Sequence, residues 1–456
     1  MRSLGKTMHA KLAGPARRRY LFAQETGRNL LPDRIGNIAN LSPTIMQSIG
    51  ALLFALALLH TFSAKSFERL AHRYPRHGGL LHLLGEVEVV FGFWAMVLLV
   101  VMAFVAGPQN AIAYAETQQY TEPLFVFVVM VVAASRPVLD FVQRLVDLLA
   151  GGRPLLQAWM GLALVPLIGS LITEPAAMTL AALMLAPQIF RNGVPEWHKY
   201  AALGVLFVNV SIGGTLTAYA APPVLMVAAT WQWDSAFMAA NFGWKATLAV
   251  LVNASAVTWL LREHLRSGPG SDAQAPATRA PTPLWTSLIH LAFLAAVVVL
   301  AHHPVLFLGL FLFFLGFTSA YPQHQSPLIL KEALLVGFFL AGLVVLGSMQ
   351  QWWLQPIVES LQPMALFFGA LGLTAITDNA ALTYLGSLID GISPQAQYML
   401  VAGAVAGGGL TVIANAPNPA GIALLRKGFR DESIGALGLL AGALAPTAVA
   451  ALAFFL

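Results

Sequence analysis

Cysteine is absent from the 456-residue sequence, which excludes disulfides, cysteine-based metal sites and thiol catalysis. Charge is scarce as well: Asp, Glu, Lys and Arg fill only 10% of positions, against roughly 25% in an ordinary soluble domain. That is too little polar material to coat a water-soluble globule. Enzyme signatures are also missing, with no HExxH, GxSxG, Walker A or GxGD sequence, and the histidines are dispersed. His302-His303, just before Pro304, reads as an outer turn rather than a metal site. These absences favour neither an enzyme nor a cofactor-bearing protein.

What is present is apolar. Hydrophobic residues make up 58% of the chain, in runs such as Phe91 to Phe104, Phe125 to Ala134, Ile289 to Ala301 and Leu334 to Leu346. A bilayer-spanning helix needs about 20 mostly apolar residues, and each run supplies most of one. The runs lack the period-2 alternation of a membrane barrel, so helices are left to satisfy the backbone in lipid. The fold class is all-α: a polytopic membrane protein of about 10 to 11 spans at that length per span.

The net charge is +5, yet residues 1–34 carry eight Lys or Arg against two acids. This basic arm, residues 1–44, has only Tyr20 and Phe22 as aromatics; it reads as a cytoplasmic or headgroup-binding tail, not a nucleic-acid site. The first apolar run begins only near Ile49, so no cleavable signal peptide is expected. Residues 45–79 comprise that run, to Phe62, and a basic loop, Lys65 to Arg76. The arm and the loop both ask to be cytoplasmic, which one crossing cannot satisfy.

A Gly, Ser, Ala, Pro and Thr-rich stretch at 263–284 separates two hydrophobic halves and reads as a flexible cytoplasmic linker. Short loops rich in Lys and Arg, at 65–76, 191–199, 262–279 and 426–430, are expected inside; those at 107–122, 231–240 and 349–355 lack basic residues and are expected outside. Threading the spans between them requires two segments that enter and leave on one side. The first, 155–190, is interrupted at Thr173-Glu174-Pro175; the second, 357–392, at Thr377-Asp378-Asn379. The first enters from inside and the second from outside, which implies an inverted repeat of residues 80–262 and 285–456.

Two internal similarities support that duplication. Ile172 to Leu180 (ITEPAAMTL) matches Ile376 to Tyr384 (ITDNAALTY) position for position, and Gly213 to Pro223 (GGTLTAYAAPP) matches Gly407 to Pro417 (GGGLTVIANAP). The second pair falls in apolar runs that read as broken helices, at about 200–230 and 396–425. Such breaks are costly in lipid unless the freed backbone faces a cavity or protein, so they mark a lined pocket.

An acid sits at each hairpin interruption, Glu174 and Asp378. A carboxylate near the membrane centre costs roughly 2.5 to 3.5 kcal/mol on insertion scales and asks for a reason. Two carboxylates would repel an anionic substrate and suit a small cation or protons. If the same groups take either Na⁺ or H⁺, competition couples the two fluxes, which is antiport. Thr173, Thr377, Asn379, Ser211, Thr217, Thr411, Asn415 and Asn418, together with Asn209 and Thr215, offer neutral oxygens of the kind an alkali cation accepts. The alternative for the threonines and Asp378 is helix capping. His82, Glu86 and Glu88 open another span; they suit a proton path or pH sensor, or interfacial pairing. Asp140, Arg144 and Asp147 are spaced as an interfacial amphipathic helix with internal ion pairs.

The hairpin tips and Gly-Gly breaks resemble those of the ion transporter superfamily, which includes sodium/dicarboxylate symporters, arsenite exporters, citrate transporters and NhaD-type antiporters. Within it the chain most resembles a Na⁺/H⁺ antiporter family, through Ile172 to Leu185, Thr374 to Leu388 and Leu83 to Phe91, over roughly residues 45–456. The resemblance implies an inverted-repeat fold with scaffold and transport regions, often dimeric and often moving as an elevator. Dicarboxylate carriers of the superfamily have Ser-Asn-Thr at the tips; Thr173-Glu174-Pro175 and Thr377-Asp378-Asn379 depart from that. The expected function is thus exchange of Na⁺ or Li⁺ for protons by a homodimer in the bacterial inner membrane, with lipid and the transported ions as partners. Transport of a small anionic or neutral solute is the alternative, and an intramembrane enzyme or scaffold the alternative of another class.

Overall fold

The computed structural model describes residues 43–266 and 282–456; the basic arm and most of the linker lie outside the described residues. Among these residues the secondary structure is entirely helical. The first half comprises α1 (Pro43–Arg73), α2 (Gly78–Gly85), α3 (Val87–Val105), α4 (Pro108–Thr117), α5 (Thr121–Ala133), α6 (Arg136–Ala150), α7 (Pro154–Leu162), α8 (Leu164–Ile172), α9 (Glu174–Leu185), α10 (Glu196–Gly213), α11 (Pro222–Trp231) and α12 (Trp244–Leu260). The second comprises α13 (Leu284–Val299), α14 (Pro304–Ala320), α15 (Leu330–Gly347), α16 (Gln351–Glu359), α17 (Pro363–Thr374), α18 (Asn379–Ser387), α19 (Pro394–Gly407), α20 (Asn418–Leu425) and α21 (Ala436–Phe454). Proline opens many of them, where its missing N–H costs nothing and its fixed φ favours the first turn.

Six helices are long and apolar enough to cross a membrane, or up to eight when two bent pairs are each taken as one span: α5 with α6, at 60°, and α7 with α8, at 43°. The other apolar helices are too short to cross about 30 Å of hydrocarbon alone. Large apolar side chains face outward without protein cover, among them Phe104 at 87%, Val305 at 82% and Leu437 at 81% exposure. Such a surface is stable only against lipid. The chain is a multi-pass all-α membrane protein.

The span Glu196–Leu216 is 83% buried whereas Val87–Val105 and Ala436–Phe454 are 39% buried, so α10 runs through the centre and α3 and α21 along the periphery. Without a hydrophobic drive between helices in lipid, close backbone approach supplies much of the packing. At the α3–α15 seam a Cβ on Gly342 would stand 2.3 Å from the Gly92 nitrogen, and at the α10–α21 seam one on Gly204 would stand 2.3 Å from the Gly442 carbonyl carbon.

Two expectations require correction. The basic stretch from Lys65 is not a loop: α1 continues to Arg73, because nothing in it breaks a helix before Tyr74-Pro75. On α6, Asp140 pairs with Arg136 (3.4 Å) and accepts from Thr282 Oγ1 (3.0 Å), while Arg144 donates to the Thr282 carbonyl and Asp147 accepts from Gln143 and Gln157. The segment entering α13 competes for these groups, which spacing along one helix cannot reveal.

Three basic loops meet at one end of the molecule. Arg191 Nη2 donates to the His264 carbonyl (3.3 Å), Phe190 packs on Phe429 (centroids 5.8 Å), and Lys199 Nζ donates to the Gly428 carbonyl (2.5 Å) and to Glu196 (3.1 Å).

Candidate functional site

Each half contains a helix pair interrupted at the matched motif, α8–α9 and α17–α18, followed by a helix that breaks at its glycines, α10 before α11 and α19 before α20. The pieces interlock across the halves: α9 packs on α20 and α18 on α11, with α10 against α19 between them. Matched threonines tie each break to the hairpin of its own half. Thr217 Oγ1 donates to the Ser170 carbonyl (2.7 Å) and Thr411 Oγ1 to the Ala375 carbonyl (2.9 Å).

At the first tip Thr173 has φ 79° and ψ 150°, a conformation that is costly for a β-branched residue, by about 1 to 3 kcal/mol, and collects at functional sites. Glu174 is then the first residue of α9, wholly buried. Its Oε2 accepts from Asn415 Nδ2 (2.8 Å) and its Oε1 has no partner. The carboxyl lies against Gly214, where a Cβ would stand 2.5 Å from Oε1; the Gly-Gly sequence leaves room for the acid.

The second tip is offset by one residue. Asp378 is the residue before α18, and its Oδ1 accepts the backbone amides of Ala380 (2.8 Å) and Ala381 (3.2 Å). This is an N-cap, satisfying two of the helix's orphan donors. Thr377 Oγ1 donates to the Leu373 carbonyl (2.8 Å). Asp378 and Thr377 border a void of about 20 Å³ whose wall includes Leu58, Phe62, Val87 and Phe91. Asn379, the matched partner of Pro175, is buried with neither side-chain polar atom bonded, and its backbone N–H donates to the Ala414 carbonyl (3.1 Å). The segment Ala414-Asn415 therefore links the two tips, with Asn379 on one side and Glu174 on the other.

Around this link several buried oxygens lack partners: Thr173 Oγ1, Glu174 Oε1, Asn379 Oδ1, Asn415 Oδ1 and Asn418 Oδ1. An unpartnered buried polar atom costs about 1 to 3 kcal/mol, and these five lie on the two tips and on the break that follows the second. Asn418 is oriented by donating to the carbonyls of Gly408 and Thr411 (both 2.8 Å). Ser211 Oγ, beside Gly408, donates to the Val405 carbonyl (2.8 Å).

Other candidates lie elsewhere. Thr215 bonds within its own turn, and Asn209 bridges the Leu162 carbonyl and Asn253. Glu86 forms an ion pair with Lys331 (2.9 Å) at the surface. Glu88 is half-buried in the first turn of α3, and His82 is exposed. Among the described residues no group of three or more His, Cys, Asp or Glu could hold a metal.

The sequence reading missed a cavity of about 590 Å³ whose wall includes Glu122, Tyr219, Asp234 and His302. Residues of the segments 107–122 and 231–240 line it together with residues of α5, α11 and α13, and it reaches Ala218, next to Thr217. It also missed the strain at Thr173, for which the only signal is its place before Glu-Pro.

A family model described as "Putative Na+/H+ antiporter" matches residues 45–456. No curated protein matches the chain. The family is one of transporters. With nine-tenths of the chain matched and its apolar helices and interrupted pairs in place, the chain belongs to the Na⁺/H⁺ antiporter family and acts as a cation/proton antiporter.

Proposed function

We propose that the protein exchanges Na⁺ or Li⁺ for H⁺ across the bacterial inner membrane at the junction of the two hairpin tips. The observation that carries this reading is a wholly buried carboxylate, Glu174, with one oxygen unpartnered among the unpartnered oxygens of Thr173, Asn379, Asn415 and Asn418. One acid among hard neutral oxygens suits a small monovalent cation and offers no positive group to an anion. When Glu174 takes a proton, the cation loses its only formal negative charge in that set and leaves; when it takes the cation, the proton leaves. Binding of one thus excludes the other, and alternating exposure of the junction converts that exclusion into countertransport.

The crossed packing of α9 on α20 and α18 on α11 and the matched Thr217 and Thr411 ties support two oppositely inserted repeats, each delivering a hairpin tip and a broken helix to the midplane. The cavity bordered by Ala218 and Tyr219 is the outward approach in this reading, and the meeting of basic loops at the other end supports a cytoplasmic location for that end. Purified protein in proteoliposomes tests this. An imposed pH gradient should drive labelled Na⁺ or Li⁺ uptake that Glu174→Gln abolishes. Uptake of a dicarboxylate or arsenite in place of the cation would refute it.

A further inference from the structure

We infer that the basic arm docks on its own molecule: residues 1–42 start at the end of the bundle away from the basic loops and seat on the acidic pocket bordered by Gln47, Trp352, Glu359 and Asp390. This surface plays no part in the antiport reading, and the inference goes beyond that reading without resting on it.

The direction of α1 decides where the arm starts. Near the beginning of α1, a Cβ on Gly50 would stand 2.8 Å from Met349 Cβ, and Gln47 borders the pocket together with Ser348 and Gln351. Farther along, His60 Nε2 lies 2.8 Å from the Leu84 carbonyl, close in sequence to the Glu86–Lys331 pair that joins the starts of α3 and α15. From that pair α15 leads to Gly347, so α1 runs antiparallel to it and begins where α15 ends. The last helix, α21, shows which end this is. Its start meets Tyr200, whose Oη accepts the Gly435 N–H (2.9 Å) and whose ring packs on Phe429 among the basic loops (centroids 5.0 Å). Its last turn holds the Phe454 carbonyl, which accepts from Tyr398 Oη (2.7 Å) in α19, and α19 opens just after Asp390. The pocket and the start of α1 therefore lie away from the basic loops. One crossing leaves the arm and the basic stretch from Lys65 on opposite sides, despite their shared charge.

The pocket has the chemistry to hold such an arm. It encloses about 430 Å³, and glutamines present its two acids. Gln351 Nε2 donates to Asp390 Oδ2 (2.9 Å), and Gln355 Nε2 donates to Glu359 Oε1 (2.5 Å) and to the Asp390 carbonyl (3.0 Å). Neither carboxylate forms an ion pair among the described residues. Trp352, 48% exposed beside them, offers a flat face on which a guanidinium stacks. Elsewhere at this end stand Glu116, Asp234 and Glu122, the last facing His302, while Lys245 is engaged by the Tyr398 hydroxyl (2.9 Å) and ring (4.7 Å). The end is thus left with an excess of acids, and residues 1–34 carry eight Lys or Arg against two acids. Reach is ample. Gln47 lies one turn into α1, and Arg34 and Arg28 precede Pro43 by 9 and 15 residues, up to about 30 and 50 Å of extended chain. Tethering holds such groups at an effective concentration on the order of millimolar, so pairs that are individually weak add up.

The chain has no cysteine, so single cysteines in the full-length protein report sidedness without background. In right-side-out vesicles, Ser3→Cys and Ser433→Cys, the latter beside the basic loops, should react with a membrane-impermeant maleimide from opposite sides. Opposite labelling in either sense agrees with the inference; labelling of both from one side overturns it. Trypsin then reads docking in nanodiscs of neutral lipid, where both faces are open. Cleavage at Arg17-Arg18-Arg19 should be slow in the parent and roughly fivefold faster when Glu359→Gln and Asp390→Asn are combined, as two exposed pairs are lost. Asp234→Asn, from the other cavity of this end, should cleave at the parental rate. An unchanged rate in a monodisperse double variant overturns the inference, and so does protection that appears only with anionic lipid, because headgroups then hold the arm. Carbodiimide coupling of the parent gives a reading that needs no variant: mass spectrometry should find Lys6 or Lys11 joined to Glu359 or Asp390. Coupling confined to Glu122 or Asp234 would place the arm elsewhere and overturn the assignment.

Discussion

The two hairpin tips align residue for residue in sequence but start their second helices at different places. In the first, Thr173 precedes the helix and Glu174 is its first residue; in the second, Asp378 itself precedes the helix and Asn379 comes first. One residue of offset turns the same kind of side chain to different tasks. An acid at the first helical position projects away from the helix and is free to meet Asn415, whereas an acid before the helix folds back on the amides. Two similar motifs can thus keep their residues while the acid of one meets a side chain and the acid of the other meets backbone amides.

The comparison can be broken most severely at Gly214. Alanine there places a methyl against Glu174 Oε1, and because small displacements of a reacting group can cost about 100-fold, exchange in proteoliposomes should fall by roughly that much with the protein still inserted and monodisperse. Unchanged exchange would mean that Glu174 works from another position. Next comes Asn415→Leu, which removes a hydrogen bond to a charged group worth about 1.5 to 3 kcal/mol; the half-saturating Na⁺ concentration should rise at least tenfold, read from initial rates. At the second tip the expected loss is in stability: Asp378→Ala should cost about 1 kcal/mol as a lost cap, measured as earlier thermal unfolding in detergent, with Asp378→Asn near the parent.

Thr173→Gly sharpens the comparison from the opposite direction. Relief of the positive φ should stabilise the protein by up to about 1 kcal/mol, while loss of the hydroxyl weakens cation binding, so melting temperature and affinity should move in opposite senses. The smallest effect is expected at Lys331→Met. Its exposed pair with Glu86 contributes under about 1 kcal/mol, and exchange should stay at the parental rate. A large fall in exchange would return Glu86 to the proton path.

Much of this was legible before any coordinates. Polar triplets inside apolar runs mark the tips because lipid tolerates a broken backbone only where protein covers it, and the paired GG breaks mark the helices beside them. The roles of individual residues were not legible. Whether Asp378 caps or ligates depends on where its helix begins, a matter of one residue, and boundaries at that scale are set by tertiary contacts such as Asn379 N–H to Ala414. Thr217 and Thr411 have the same hydroxyl as Thr173, yet their hydroxyls tie backbone and that of Thr173 is unpartnered; composition cannot tell these apart. The length of α1 was hidden too, since basic residues resemble a loop in a hydropathy plot and extend a helix well in fact.

That length has a mechanical meaning. At 1.5 Å per residue, the 31 residues of α1 form a rod of about 46 Å, half again the roughly 30 Å of hydrocarbon. It cannot lie flush within the bilayer, so its last turns, bearing exposed Arg69 and Arg73, reach the depth of the lipid phosphates or beyond. Partway along the same unbroken rod, Leu58, Thr61 and Phe62 form part of the wall around Asp378. The arginines at the headgroup end and the wall of the second tip thus belong to one continuous rod, with no joint between them.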